Sequence, residues 1–155
     1  MALSDLIAFD AVLPQLRATG KKAVLAEMSE RAGLVSGLSG REIFDAVLQR
    51  ERLGSTGVGN GIAIPHGKLV RCERILGVFA RLERPIDFEA MDGEPVDLVL
   101  LLIASETAGA DHLKALARVA RFLRDPKVAA QLRATRDVDV LHAVLARSGQ
   151  TSHAA

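Results

Sequence analysis

The sequence predicts an α/β fold in which one sheet is covered by helices, and three observations carry that reading. Residues 75–82 and 98–104 are dense in Ile, Val, Leu and Phe, as buried strands are. Five other stretches repeat their apolar residues at helical spacing. Helical and strand stretches alternate, which favours a sheet with helices packed on it. The chain has 155 residues, within the ~100–200 residues usual for one domain and enough to bury a real core. Residues 1–148 are taken as that domain and 149–155 as a flexible tail.

The elements follow in order. Residues 21–32 read as a helix with Val24, Leu25 and Met28 on one face, and residues 39–53 as a second with Ile43, Phe44, Val47 and Leu48 as its stripe. Ser39 can cap the second helix, with Glu42 three residues on. Gly54, Gly57, Gly59 and Gly61 then interrupt regular structure ahead of a turn at Pro65-His66-Gly67. Between the two strands, Pro85, Asp92-Gly93 and Pro95 mark turns. Residues 112–123 carry Leu113, Leu116, Val119, Ala120 and Leu123 at helical spacing. Pro126 opens a helix to about residue 134, with Asp125 as its N-cap. A last helix covers residues 138–146, and the residues after Ser148 read as a frayed tail.

Hydrophobic residues make up 49% of the chain and charged residues 25%, a globular composition. With 20 basic against 19 acidic residues, there is no bulk electrostatic case for nucleic acid or an anionic membrane. Five Phe with no Tyr or Trp leave few stacking platforms for single strands. Cys72 is the single cysteine, which fits a reducing compartment. Asp5 stands where a secretory leader wants positive charge, and the apolar run at 98–104 is far too short to span a bilayer. A cytoplasmic protein without membrane insertion is expected.

The candidate chemistry centres on Gly59-Asn60-Gly61-Ile62-Ala63-Ile64-Pro65-His66-Gly67. Pro65 fixes its own φ and pushes Ile64 towards extended backbone. Gly67, with no Cβ, would let the chain turn away and leave the His66 imidazole bare. The glycines do not form a nucleotide loop. Ile62 stands where a dinucleotide fingerprint needs its third glycine, and Leu69 stands where a P-loop needs Ser or Thr. A neutral imidazole, with an ordinary pKa of ~6.5, attacks phosphorus well, and the phosphohistidine it forms is labile. His66 is therefore the candidate nucleophile; a merely structural histidine is the alternative. His112, beside Asp111 at a helix start, could hydrogen-bond phosphoryl oxygens or be a partly exposed helix-start residue. Arg50 could neutralise charge developing on a phosphoryl group, or be a solvated arginine. Cys72, near Arg71 and Arg74, could have a lowered pKa, yet nothing pairs with it. His142 and His153 are assigned no role. Two histidines and Asp111 could in principle hold a metal, without any short ligand spacing to support it.

The stretch from Glu51 to Gly67 resembles the active-site signature of the fructose/mannitol-type IIA domains of the bacterial phosphotransferase system. That signature asks for a polar residue, six positions, an aliphatic and a small residue, then aliphatic-Ala-aliphatic-Pro-His-small. Glu51, Val58, Gly59, Ile62, Ala63, Ile64, Pro65, His66 and Gly67 stand in register with it. Residues 50–61, Pro95-Val96-Asp97-Leu98 and His112-Leu113-Lys114-Ala115-Leu116 are most similar to the nitrogen-related branch. The similarity spans residues 21–145. It implies a mixed sheet flanked by helices, phosphorylation of His66, and His112 and Arg50 as the second histidine and the arginine of the site. It also implies a small HPr-like phosphocarrier as donor and regulatory target proteins linked to nitrogen and potassium, such as a sensor kinase or potassium transport proteins; no cofactor or metal is expected. The protein would then be a phosphotransferase component rather than a complete small-molecule enzyme. Two alternatives stay open: a sugar-specific IIA component that passes phosphate to a IIB subunit, and a ligand- or metal-binding module.

Overall fold

The computed structural model describes residues 3–147. After two short 3₁₀ turns the chain forms β1 (Val12–Leu16), α1 (Lys21–Ser36) and α2 (Gly40–Glu51). Four strands follow: β2 (Gly57–Gly59), β3 (Ile62–Ala63), β4 (His66–Leu69) and β5 (Leu76–Ile86). The chain continues through β6 (Val96–Ser105), α3 (Ala110–Arg124), α4 (Pro126–Arg133) and α5 (Val138–Ala146). The tail read after Ser148, with His153, lies outside the described residues.

All six strands form one sheet in the order β1-β5-β6-β3-β2, with β4 also paired to β6. β5 and β6 are antiparallel, while β1 runs parallel to β5, and β3 and β4 run parallel to β6. The sheet is therefore mixed. Along β6 successive residues from Leu98 to Ala104 are buried, so both faces of the strand are covered. α1 packs on β5, α2 on β4, and α5 on β1. Three helix starts follow from short polar side chains: Ser39 accepts from the Glu42 N–H, Asp125 from Lys127 and Asp137 from Asp139.

Three expectations change. Only two of the six strands carry a hydrophobic run long enough to be read. β1 contains Pro14 and lies at a sheet edge, where a missing N–H is tolerated. Pro85 is no turn: it sits inside β5, where the β5–β6 register shifts between Arg81 and Ile86. Most consequentially, His66 does not ride on a turn. β3 and β4 pair with β6 in one continuous register, Ile62 with Leu98, Ala63 with Val99 and His66 with Leu102. The Ile64-Pro65 step interrupts the ladder without shifting it, and the Pro65 carbonyl still accepts from the Leu102 N–H at 2.9 Å.

Gly67 has a different use from the one expected. It is buried within β4, and a Cβ there would stand 3.2 Å from both the Ala46 Cβ and the Val47 backbone nitrogen. Its missing side chain admits α2 against the strand. Gly67→Ala should therefore destabilise the fold by about 1–3 kcal/mol, the usual cost of overpacking a tight contact. Urea unfolding would measure it, and a neutral result would show that α2 can shift freely.

Candidate functional site

β4, α2 and α3 together line an open cleft of about 490 Å³. His66 opens β4, and period-two alternation puts Lys68 on the same side, while Gly67 between them turns against α2. The last turns of α2 contribute Gln49 and Arg50, and the first turns of α3 contribute His112, Leu113 and Leu116. The three residues singled out in the sequence, His66, His112 and Arg50, thus meet in one place. Asp111 does not join them; it lines a different hollow. Among the described residues no group of three or more His, Cys, Asp or Glu could hold a metal ion.

The His66 ring is half-buried rather than bare, and its Nδ1 lies 3.0 Å from the Ile64 carbonyl oxygen. A carbonyl only accepts, so Nδ1 carries the proton and the neutral ring presents its lone pair at Nε2. The Ile64 backbone is fixed on its other side as well, because its N–H donates to the Thr56 carbonyl at 3.0 Å. Burial lowers the His66 pKa below the ordinary 6.5, and Arg50 and Lys68 push the same way, against the Ile64 hydrogen bond and Glu51. The base is thus neutral around pH 7.

His112 corrects the exposed reading. It is 2% exposed, and its Nε2 is buried with no hydrogen-bond partner among the described residues. Its ring stands edge-on to His66 at 5.6 Å between centroids and 70° between planes. Burial, then the neighbouring His66 and Lys68, lowers its pKa. Arg50 is half-buried and donates from Nη1 to the Gly54 carbonyl at 2.9 Å, which holds the guanidinium at the cleft wall.

Two contributors were missed. Lys68 supplies a second positive charge beside both histidines. The His-x-Lys spacing signals it, but only once residues 66–69 are known to be a strand. Glu51 is the other. Its carboxylate is buried, accepts from the Thr56 N–H at 2.8 Å and from the Thr56 hydroxyl at 2.5 Å, and pairs with Lys21 at 3.0 Å. It ties the end of α2 to the start of α1 and to the loop that enters β2. The remaining candidates are structural. Burial raises the Cys72 thiol, which donates to the Arg74 carbonyl, contrary to the lowered value considered above. The His142 Nε2 donates to the Ile7 carbonyl at 3.1 Å.

The mixed sheet flanked by helices is shared with known proteins. The chain belongs to the family described as phosphoenolpyruvate-dependent sugar phosphotransferase system, EIIA 2, which it matches over residues 6–148. The match reaches further towards both ends than the 21–145 read from motifs. Within that family it stands in the nitrogen-related branch. It is 57% identical over 146 residues to a nitrogen regulatory protein of Bradyrhizobium diazoefficiens, covering 94% of this chain and 95% of the relative. It is 39% identical over 155 residues to a nitrogen regulatory protein of Klebsiella oxytoca, covering 99% and 96%. The crystal structure of the nitrogen regulatory protein IIA-Ntr from Neisseria meningitidis superposes with a TM-score of 0.87 at 29% identity, covering 92% of this chain and 98% of that one. Among the described residues no helix is long and apolar enough to cross a membrane.

The depressed histidines carry a stability signature. Both fold with pKa values below the ordinary 6.5, so below that pH the unfolded chain binds protons the folded chain refuses. Their contribution is present above pH 6.5 and is lost as pH falls through the folded values. The melting temperature should drop on acidification below about pH 6.5, and His112→Gln should flatten that drop. An equal slope in the variant would remove His112 from the effect.

Proposed function

We propose that the protein is a phosphoryl carrier of the nitrogen-related phosphotransferase system. In this reading His66 Nε2 accepts a phosphoryl group from an HPr-like phosphocarrier, and the charged state regulates target proteins linked to nitrogen and potassium. The observation that carries the reading is the bond from His66 Nδ1 to the Ile64 carbonyl, which leaves one nitrogen nucleophilic and aims it into a cleft. The membership of the chain among phosphotransferase components supports the same chemistry.

In the step itself a bond forms from Nε2 to phosphorus as the bond from phosphorus to the donor's nitrogen breaks in line, and the donor ring leaves with its electron pair. Little covalent help is needed beyond positioning and charge stabilisation. Arg50 and Lys68 neutralise the equatorial oxygens, and the buried His112 Nε2 gains the hydrogen-bond partner it lacks. Exposed Leu53 and Leu113, 83% and 68% accessible, border the cleft and give the phosphocarrier an apolar rim to dock on. The reaction needs no cofactor and takes place in the cytoplasm.

The test mixes the protein with phosphoenolpyruvate, an enzyme-I-type protein and its phosphocarrier, and follows intact mass. One phosphoryl group should be gained by wild type and none by His66→Ala; label persisting in the variant overturns the assignment. Nitrogen-15 NMR should place phosphorus on Nε2, and an Nδ1 adduct would contradict the tautomer. His112→Ala should slow uptake by about 10- to 100-fold while leaving the covalent site. Lys68→Gln should slow it by about tenfold and weaken its salt dependence; unchanged kinetics would return Lys68 to a solvated surface role.

A further inference from the structure

α3 separates two depressions. His112, Leu113 and Leu116 face the His66 cleft, while Asp111, Lys114, Ala115 and Arg118 lie on the opposite flank of the helix, as 100° per residue requires. There they line a hollow of about 580 Å³, closed on its other side by the N-terminal turn and the β4–β5 loop. Its floor is apolar: Leu6 and Ala115 are 7% and 8% exposed, and Ile75 lies between them in accessibility and the open surface.

Five charged side chains line this hollow without a hydrogen bond or ion pair among the described residues. They are Arg74, Lys114 and Arg118 on one sign, and Glu73 and Asp111 on the other. Asp5 also lines it and has a partner of its own. The hollow thus presents charges of both signs that are not paired with one another. A molecule carrying both charges can bridge them. A polyanion would meet the two free carboxylates and a polycation the three free cations, so neither phosphates nor polyamines fit.

We propose that this hollow binds a small amphoteric metabolite of the α-amino-acid class, and that its occupancy is felt at His112. The ligand carboxylate pairs with Arg118 and Arg74, its ammonium group with Asp111, and its side chain covers the apolar floor. The link to the phosphoryl cleft is mechanical. Asp111 and His112 are adjacent in the first turn of α3, and that turn is softly held. Its N-cap is Gly109, at φ +49° and ψ −112°, with no side-chain cap, and the Leu113 N–H reaches the Gly109 carbonyl only at 3.4 Å. A ligand clamped between Asp111 and Arg118 orders this turn and biases where His112 stands against His66.

Titration of the nitrogen-15-labelled protein with L-leucine, L-methionine and L-glutamine tests it, with no phosphoryl transfer involved, so its failure leaves the carrier reading untouched. At least one probe should shift the amides of residues 111–118 and of Arg74 saturably, and should move the His112 imidazole resonances. For an L-leucine response, 4-methylpentanoate and 3-methylbutylamine, each carrying one of the two charges, should bind at least about tenfold more weakly. Asp111→Asn at an exposed position and Arg118→Ala at a half-buried one should each weaken binding by about tenfold. Absence of saturable shifts with all three probes, equal affinity of the single-charge analogues, or unchanged affinity in both variants would overturn the site. Saturation that leaves the His112 resonances in place would overturn its link to the cleft.

Discussion

One hydrogen bond, from His66 Nδ1 to the carbonyl of Ile64, determines what the cleft can do. A carbonyl only accepts, so the proton sits on Nδ1 and the lone pair on Nε2. The acceptor is open because of the local topology. β2 begins only at Gly57, so beyond the bond from the Ile64 N–H to Thr56 no neighbouring strand claims the Ile64 oxygen. Pro65, which has no N–H to satisfy, lets the chain pass this point while keeping its register along β6. The local sequence Ile-Pro-His thus acts through the ladder it interrupts.

The electrostatics around that bond are balanced rather than extreme. Arg50 and Lys68 make the cleft cationic, while burial, helped by both charges at His66 and by His66 and Lys68 at His112, lowers both imidazole pKa values. An anionic group arriving at the cleft therefore finds positive potential without a protonated, unreactive ring. Glu51 offsets part of this field from below, and its buried carboxylate is satisfied by Thr56 and Lys21 rather than left alone.

How much of this was legible in the sequence depended on length and period. The five helices, their caps at Ser39 and Asp125, and the two central strands follow from patterns ten or so residues long, where period overrides noise. The short strands did not. β3 has two residues and β4 reads His-Gly-Lys-Leu, which has no strand propensity of its own; both exist because β6 offers them a ladder. Missing β4 hid the shared side of His66 and Lys68 and misassigned Gly67. The burial of His112 could not be read either, because it depends on how α3 seats against β4. His66 was singled out by a spaced motif, which survives ignorance of the fold, whereas Arg50 and His112 gained their assignment only from the wider resemblance.

The continuous register of residues 62–69 along β6 has a wider implication. The His66 ring takes its coordinates from main-chain bonds to the buried strand β6, whereas the rest of the cleft wall is drawn from α2 and α3. Address and signature are thus inscribed on separate parts of the chain. Such a protein can redraw its visible face without displacing the His66 ring.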